Sequence, residues 1–128
     1  MRNLLVWSVA LALGLLASAC QSTHEKGVTS NLRTQWTDVS ADTKTTTDAA
    51  RDVLKDEGLQ DVNATSTNVD GKATAKKADG TEVDVTVTKT GEKKSQVSVT
   101  VGTIGEPKLG ADIARKIKDK AEGNPTNG

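Results

Sequence analysis

The sequence predicts an α+β fold, a two-layer sandwich in which two helices pack on one face of a four- or five-stranded antiparallel meander sheet. Three observations predict it. An apolar stripe at helical spacing lies between Asp42 and Gly58, valines alternate with polar residues between Val83 and Val101, and a second helical stripe follows Pro107. The predicted element order is β-α-β-β-β-β-α, where a strand at residues 34–39 around Trp36 is the fifth strand.

The first helix is predicted to begin after Asp42 and to end before Gly58. Its stripe consists of residues three or four positions apart, namely Thr46, Ala49, Ala50, Val53 and Leu54. Asp42 can cap the amino end, because its carboxylate accepts a hydrogen bond from a free backbone N–H. Gly58 tolerates the left-handed conformation, so that Leu59 can fold back onto Leu54 in a Schellman ending.

Four strands are predicted to follow, at residues 62–69, 72–77, 81–89 and 95–101. Asp70-Gly71 is expected to form a two-residue turn that places Ala73 and Ala75 on the face of Val62, Ala64 and Ser66. The next connection is expected to be a three-residue loop, Ala78-Asp79-Gly80, with Gly80 left-handed. This loop pairs Ala75 with Val83, and the last hairpin then pairs Val87 with Val97, Val85 with Val99 and Val83 with Val101.

The second helix is predicted to begin at Pro107 and to bury Leu109, Ile113 and Ile117, with Gly123 and Pro125 ending it. The helices leave the other sheet face polar, with Thr65, Thr67, Thr74, Thr86, Thr88, Ser98 and Thr100 on it. These hydroxyls can bond across strands and hold the sheet in register. Alternatively, such a face can dock a peptide or a glycan strand.

The amino terminus has the parts of a secretory signal peptide. Arg2 precedes an uncharged, Leu-rich run from Leu4 to Ala19, which ends in small residues directly before Cys20, the only cysteine of the chain. The stretch Leu16-Ala17-Ser18-Ala19-Cys20 resembles the lipobox of bacterial lipoproteins. The resemblance implies cleavage between Ala19 and Cys20, acyl chains on Cys20 and, from the following Gln21, an outer-membrane location.

An ordinary signal peptidase is the alternative, because Ala17-Ser18-Ala19 also satisfies its Ala-x-Ala rule and would release a soluble protein with a free thiol. On the lipoprotein interpretation the chain divides into four parts. Residues 1–19 form the signal peptide, 20–33 a polar tether, 34–122 the α+β domain and 123–128 a disordered tail.

Composition excludes several functional classes. Seventeen Lys and Arg residues balance seventeen Asp and Glu residues, so the chain lacks the basic footprint of a nucleic-acid-binding protein. A single cysteine and a single histidine, His24, exclude an internal disulfide and multi-cysteine or paired-histidine metal sites. We therefore expect no metal, no cofactor and no enzymatic activity.

Two sets of residues have side chains or backbone groups that could form a chemical site. Gly102 and Gly105 precede the second helix and are candidate contacts for an anion or ligand, because backbone N–H groups converge at a helix start. The negative charge of Glu106 would repel an anion there. The simpler interpretation is that Gly102 lies at the end of a strand and Gly105 in a turn. The acids Asp48, Asp52, Asp56, Glu57 and Asp84 are expected to be solvated, since no cleft is predicted around them.

The stretch from Ala49 to Ala121 resembles a family of small proteobacterial lipoproteins that carries a domain of unknown function. The likeness rests on Leu-Lys-Asp-x-Gly-Leu at residues 54–59, Ala-Asp-Gly-Thr at 78–81 and Val-Gly-Thr-Ile-Gly-Glu at 101–106. Relatives carry an aromatic residue in place of Ile104 and Asp in place of Glu106. The resemblance implies the α+β fold and an envelope location, and it supplies no catalytic residues.

These observations lead to two expectations of function. The first is a lipid-anchored protein of the cell envelope that faces the periplasm. Its non-enzymatic module has a structural or interaction role, with the membrane and an envelope protein or peptidoglycan as partners. The alternative is a periplasmic binding module that captures a small ligand, a peptide or a cell-wall fragment on its sheet face or on the seam between helices and sheet.

Overall fold

A computed structural model describes residues 27–124 and shows six antiparallel strands with two helices on one face. The sheet order is β1-β2-β6-β5-β4-β3. The elements are β1 (Val28–Ser30), β2 (Thr34–Val39), α1 (Thr43–Asp56), β3 (Gln60–Ser66), β4 (Asp70–Lys76), β5 (Glu82–Gly91), β6 (Lys94–Val101) and α2 (Pro107–Ala121). The predicted fold class is confirmed. The predicted signal peptide, Cys20 and residues 125–128 lie outside the described residues.

The sheet has one strand more than the four or five predicted, because β1 forms within the segment expected to be a tether. Val28 pairs with Thr37 of β2 and is buried at 7% exposure, and Ser30 pairs with Gln35. The side chain of Asn31 closes the β1–β2 hairpin, since its Oδ1 accepts from the backbone N–H groups of Arg33 and Thr34. The tether prediction is therefore wrong from Val28 onward.

The register of the central strands agrees with the predicted one. Val83, Val85 and Val87 of β5 lie opposite Val101, Val99 and Val97 of β6, and Ala75 of β4 lies opposite Val83. Gly80 has φ +87°, as the predicted three-residue loop requires. The hydrophobic alternation alone was thus sufficient to align these strands.

The turn between β3 and β4 lies before the predicted one. Thr67 N–H donates to the Asp70 carbonyl at 2.8 Å, Ala64 pairs with Ala73, and Asp70 and Gly71 are part of β4. The Thr67 hydroxyl explains this choice, because it accepts from the Asp70 N–H and donates to the Asp70 carboxylate. The predicted Asp70-Gly71 turn is wrong, although the predicted face of the alanines is right.

Gly71 is required by packing rather than by a turn. It is buried on the helix-covered face, and a Cβ there would collide with Oγ1 of Thr47 on α1. That hydroxyl is fixed by donating to the Thr43 carbonyl at 2.7 Å. The absent side chain of Gly71 therefore lets α1 approach β4 closely.

The free edge of the sheet at β3 carries a β-bulge. The pairing moves from Gln60–Lys76 to Asn63–Thr74, so that two residues, Asp61 and Val62, oppose the single Ala75. Asp61 has φ +53°, a left-handed conformation that Asp adopts more readily than most residues.

Both helices have the predicted ends, and neither is long and apolar enough to cross a membrane within residues 27–124. Asp42 caps α1 by accepting from Thr45 N–H at 2.7 Å, and Leu59 N–H donates to the Leu54 carbonyl as in a Schellman ending. Between helices and sheet lies a core without any aromatic residue. Its fully buried members include Ala50, Leu54, Ala73, Val83, Val85, Val87, Val97, Val99, Val101, Ile113, Ala114 and Ile117.

Candidate functional site

The sheet surface away from the helices, here called the open face, is built by alternate residues of all six strands. Strand register places one row of side chains straight across it: Thr29, Trp36, Ser98, Thr86, Lys72 and Thr65. A second row consists of Thr34, Thr100, Asp84, Thr74 and Asn63. Hydroxyl groups dominate both rows, in agreement with the polar face predicted from the sequence.

Few of the open-face hydroxyls hold the sheet together. Thr100 bonds across strands, with 2.9 Å between its Oγ1 and that of Thr34, and Thr67 bonds locally to Asp70 in its turn. Within residues 27–124 the other predicted hydroxyls make no side-chain hydrogen bond, and these are Thr65, Thr74, Thr86, Thr88 and Ser98. Hydrogen bonding between strands therefore accounts for one pair of these hydroxyls, and the remaining hydroxyls are available to a ligand.

Three hollows lie on the open face. A hollow of about 510 Å³ lies between Arg33, Glu82, Asp84 and Thr100, beside the loop that follows β6. A second of about 330 Å³ shares Glu82 and Asp84 with it, and a third of about 270 Å³ shares Lys72 with the second. These three neighbouring hollows are here called the open-face trough. Its size is in the range of ligand sites, although it is much more polar than most.

Charges along the open-face trough nearly balance. Lys72 Nζ lies 3.8 Å from Asp84 Oδ1, and both side chains are largely exposed. Arg33 and Glu82 line the first hollow. Because cations and carboxylates alternate there, the trough presents no concentrated field of either sign.

Trp36 is the one aromatic residue of the described part of the chain, and it lies on the open face. Its neighbours Gln35 and Thr37 are buried on the helix side, where Gln35 lies against Gly110 of α2. Trp36 is partly buried beside Ser98 and Thr29, and its indole N–H donates to no group within residues 27–124. The sequence pattern places Trp36 in a strand, and its position on the open face was not predicted.

Gly102 and Gly105, the sequence-predicted ligand contacts, have different surroundings. Gly102, at φ +67°, lines the first hollow, but its N–H is used in a 2.8 Å bond to the Glu82 carbonyl. Gly105, at φ +94°, lies where a Cβ would collide with the backbone of Leu32. A glycine is therefore required at this position by close packing against the β1–β2 hairpin.

The amino end of α2 already carries a negative group. Glu106 precedes the helix and accepts from Lys77 Nζ at 2.8 Å, and this hydrogen bond raises the pKa of Lys77 above its ordinary value. An anion bound beside Gly102 and Gly105 would have to compete with this carboxylate for the positive end of the helix.

The acidic residues that were expected to be solvated are engaged in ion pairs. Asp48 lies 2.9 Å from Lys44, and Glu57 bonds to Lys116 of α2. The hydrogen bonds that Lys116 donates to Asp112 and Glu57 raise the pKa of Lys116. Within the described residues, no three His, Cys, Asp or Glu side chains are grouped so that they could hold a metal.

A family model described as protein of unknown function (DUF3568) matches residues 4–120. The chain belongs to the DUF3568 family. The resemblance to a family with a domain of unknown function is thereby confirmed, and a search of curated proteins finds no match. The DUF3568 match extends from residue 4 to residue 120, so the family pattern includes both the lipobox-like stretch and the open face.

Proposed function

We propose that this DUF3568 protein is a lipid-anchored lipoprotein of the bacterial cell envelope, placed in the outer membrane and facing the periplasm. Its α+β module acts by binding a partner in the open-face trough, and no catalytic step is part of the proposal. Of the two functions expected from the sequence, the structure favours the binding module, because most of the open-face hydroxyls make no hydrogen bond within residues 27–124.

The proposed anchor rests on Cys20. The only thiol of the chain follows a charged start, an apolar run and three small residues. The family match includes this whole stretch except residues 1–3. Each buried methylene contributes about 0.8 kcal/mol, so two or three acyl chains hold a polar protein on a bilayer where one would not.

The proposed binding function rests on the unpartnered polar side chains of the open face. Thr86 and Ser98 lie side by side at its centre, each with a hydroxyl that can donate and accept. The sheet beneath is rigidly supported, since the valines on its other side are fully buried. Such a preformed surface binds a partner with little ordering cost.

The anchor is tested with Cys20→Ser in the full-length chain. We expect the parent protein in the membrane fraction with acyl additions in its intact mass, and the variant without them. Ser18→Ala is the matched control, because it keeps both the small residue and the thiol. A Cys20→Ser protein that is still processed and acylated would overturn the proposed anchor.

The binding function is tested with Thr86→Arg, which places a large cation at the centre of the open face. Cross-linking in intact envelopes is expected to give defined adducts with the parent and to lose them with the variant. Thr45→Arg is the matched control, since it adds the same group on an exposed position of α1. Circular dichroism checks that both variants are folded. Adducts that persist unchanged in Thr86→Arg would contradict the proposal.

A further inference from the structure

We infer that the open face binds an extended glycan, a chain of uncharged pyranose sugars, along the cross-strand row that contains Trp36, on which one ring stacks. The inference rests on the proposed binding function and names the chemical class of its ligand. It is carried by the position of Trp36, by the kind of polar groups around it and by the length of that row.

The position of Trp36 is unusual for a chain so poor in aromatic residues. The core is built entirely of aliphatic and small residues, and the one large aromatic side chain of the described part lies on the polar face instead. An indole ring offers a flat apolar surface and one N–H donor. A pyranose ring has the complementary shape, because its C–H groups form an apolar face and its hydroxyls surround the rim.

The polar groups around Trp36 are neutral on most sides. Ser98 and Thr29 lie directly opposite it on the neighbouring strands, Gln96 lies diagonally on β6, and Thr34 lies two residues before it on β2. Hydroxyl and amide groups both donate and accept hydrogen bonds, as sugar hydroxyls do. Asp38 is the nearest acidic residue of β2 on this face, and a carboxylate can accept from two adjacent sugar hydroxyls.

The open face favours a long ligand of low charge. The row of Trp36, Ser98, Thr86, Lys72 and Thr65 extends from β2 to β3 across four strand spacings, about 19 Å at roughly 4.8 Å each, which suits several successive rings. Cations and carboxylates of the open face are interspersed, as shown by the Lys72–Asp84 pair. A strongly charged peptide or a phosphate polymer would meet like charges along this path, whereas a neutral glycan would not.

Trp36 itself reports on binding. The chain has two tryptophans, and Trp7 lies in the predicted signal peptide, so full-length protein with Trp7→Phe has Trp36 as its only indole. The probes are a soluble tetramer of N-acetylglucosamine and purified cell-wall glycan. We expect a saturable shift of the emission to shorter wavelength as sugar displaces water from the indole. Unchanged emission at millimolar tetramer, together with no co-sedimentation with the glycan, would overturn the inference.

Variants locate the contact. Trp36→Ala is expected to weaken co-sedimentation with the glycan about tenfold, in line with one aromatic contact, and Trp36→Phe to weaken it less. Ser98→Arg blocks the neighbouring position without removing the ring and is expected to weaken binding as well, which covers the case that Trp36→Ala does not fold. Lys108→Ala, on the exposed start of α2, is the control that leaves binding unchanged.

The outcomes separate the inference from the proposed function. Undiminished binding by folded Trp36→Ala and Ser98→Arg proteins contradicts the glycan site on the open face. Envelope adducts that are lost in Thr86→Arg, combined with no response of Trp36 to either sugar probe, leave the binding function standing and refute the glycan. A shift of Trp36 emission by an acidic peptide and by neither sugar has the same meaning.

Discussion

The two faces of the sheet are made by the same strands, and they differ in burial and in polarity. On the covered face, Val85 and Val99 are fully buried beneath the helices. On the open face, the neighbouring Thr86 and Ser98 have hydroxyls without partners in the described part of the chain. The comparison shows that stability comes mainly from the covered face, which leaves the composition of the open face free to serve binding.

The largest expected effect is on the covered face, at the helix layer. Leu54→Ala removes a fully buried side chain of α1, and we expect the free energy of unfolding to fall by about 3 kcal/mol from lost burial and the remaining cavity. Leu32→Ala is the matched control, since Leu32 is 82% exposed in the β1–β2 hairpin. Urea denaturation measures both, and equal losses would show that burial does not control stability here.

Close approach of α1 to the sheet is tested at Gly71. Gly71→Ala brings a methyl group against Thr47 Oγ1, and we expect a loss of about 2 kcal/mol from overpacking. The double variant Gly71→Ala/Thr47→Ala removes the opposing hydroxyl and should recover part of the loss. Without such coupling in a double-mutant cycle, Gly71 would not be explained by helix packing.

Exchanging side chains between the two faces tests the comparison directly. Val85→Thr places a hydroxyl in the core and should cost about 1–2 kcal/mol, because the buried oxygen loses its hydrogen bonds to water. Thr86→Val makes the reverse change one residue along the strand and should alter stability by less than about 0.5 kcal/mol. Thermal unfolding of the pair measures the difference. Equal costs would mean that the faces are not energetically distinct.

The smallest expected effect depends on pH. Burial would raise the pKa of Glu122, but hydrogen bonds from the Ser40 backbone and Lys118 outweigh it and lower the pKa below the ordinary 4.5. A carboxyl whose pKa is lower in the folded state stabilises the protein above its unfolded pKa, and this stabilisation is lost as the pH falls through the folded pKa. Glu122→Gln should therefore cost less than about 1 kcal/mol at neutral pH.

Denaturation of the parent and of Glu122→Gln at several pH values checks this prediction. Their difference in stability should shrink as the pH is lowered below about 4. A difference that stays constant with pH would show that the charge of Glu122 does not stabilise the end of α2. Lys108→Ala gives the baseline for removing an exposed charge from the same helix.

The sequence was most informative where burial repeats at regular spacing. Val83, Val85 and Val87 determined their own register, because a slip of one residue would turn all three to water. Asp42 and Gly58 determined the ends of α1 in the same local way, through a capping carboxylate and a left-handed glycine.

Features that depend on tertiary contacts could not be predicted. Val28 was expected in a tether because a three-residue strand has no periodicity, and it becomes a strand only against the free edge of β2. Asp70-Gly71 resembles a turn, and the competing hydroxyl of Thr67 and the approach of Thr47 are visible only in the fold.

The candidate site was partly predictable. The polar face was expected from the Thr and Ser alternation, but Trp36 was assigned only to a strand and to neither face of the sheet. A signal was present: Val39 shares its parity with Gln35 and Thr37, so Trp36 had to face the other way.

The bulge in β3 affects how readily the free edge of this sheet can pair with another chain. A long free strand edge is a template on which another chain can pair, and β3 is the longer of the two edges of this sheet. The doubled residues Asp61 and Val62 interrupt the regular spacing of backbone donors and acceptors along it. The bulge therefore disfavours edge-to-edge pairing between the sheets of neighbouring copies, even at high density.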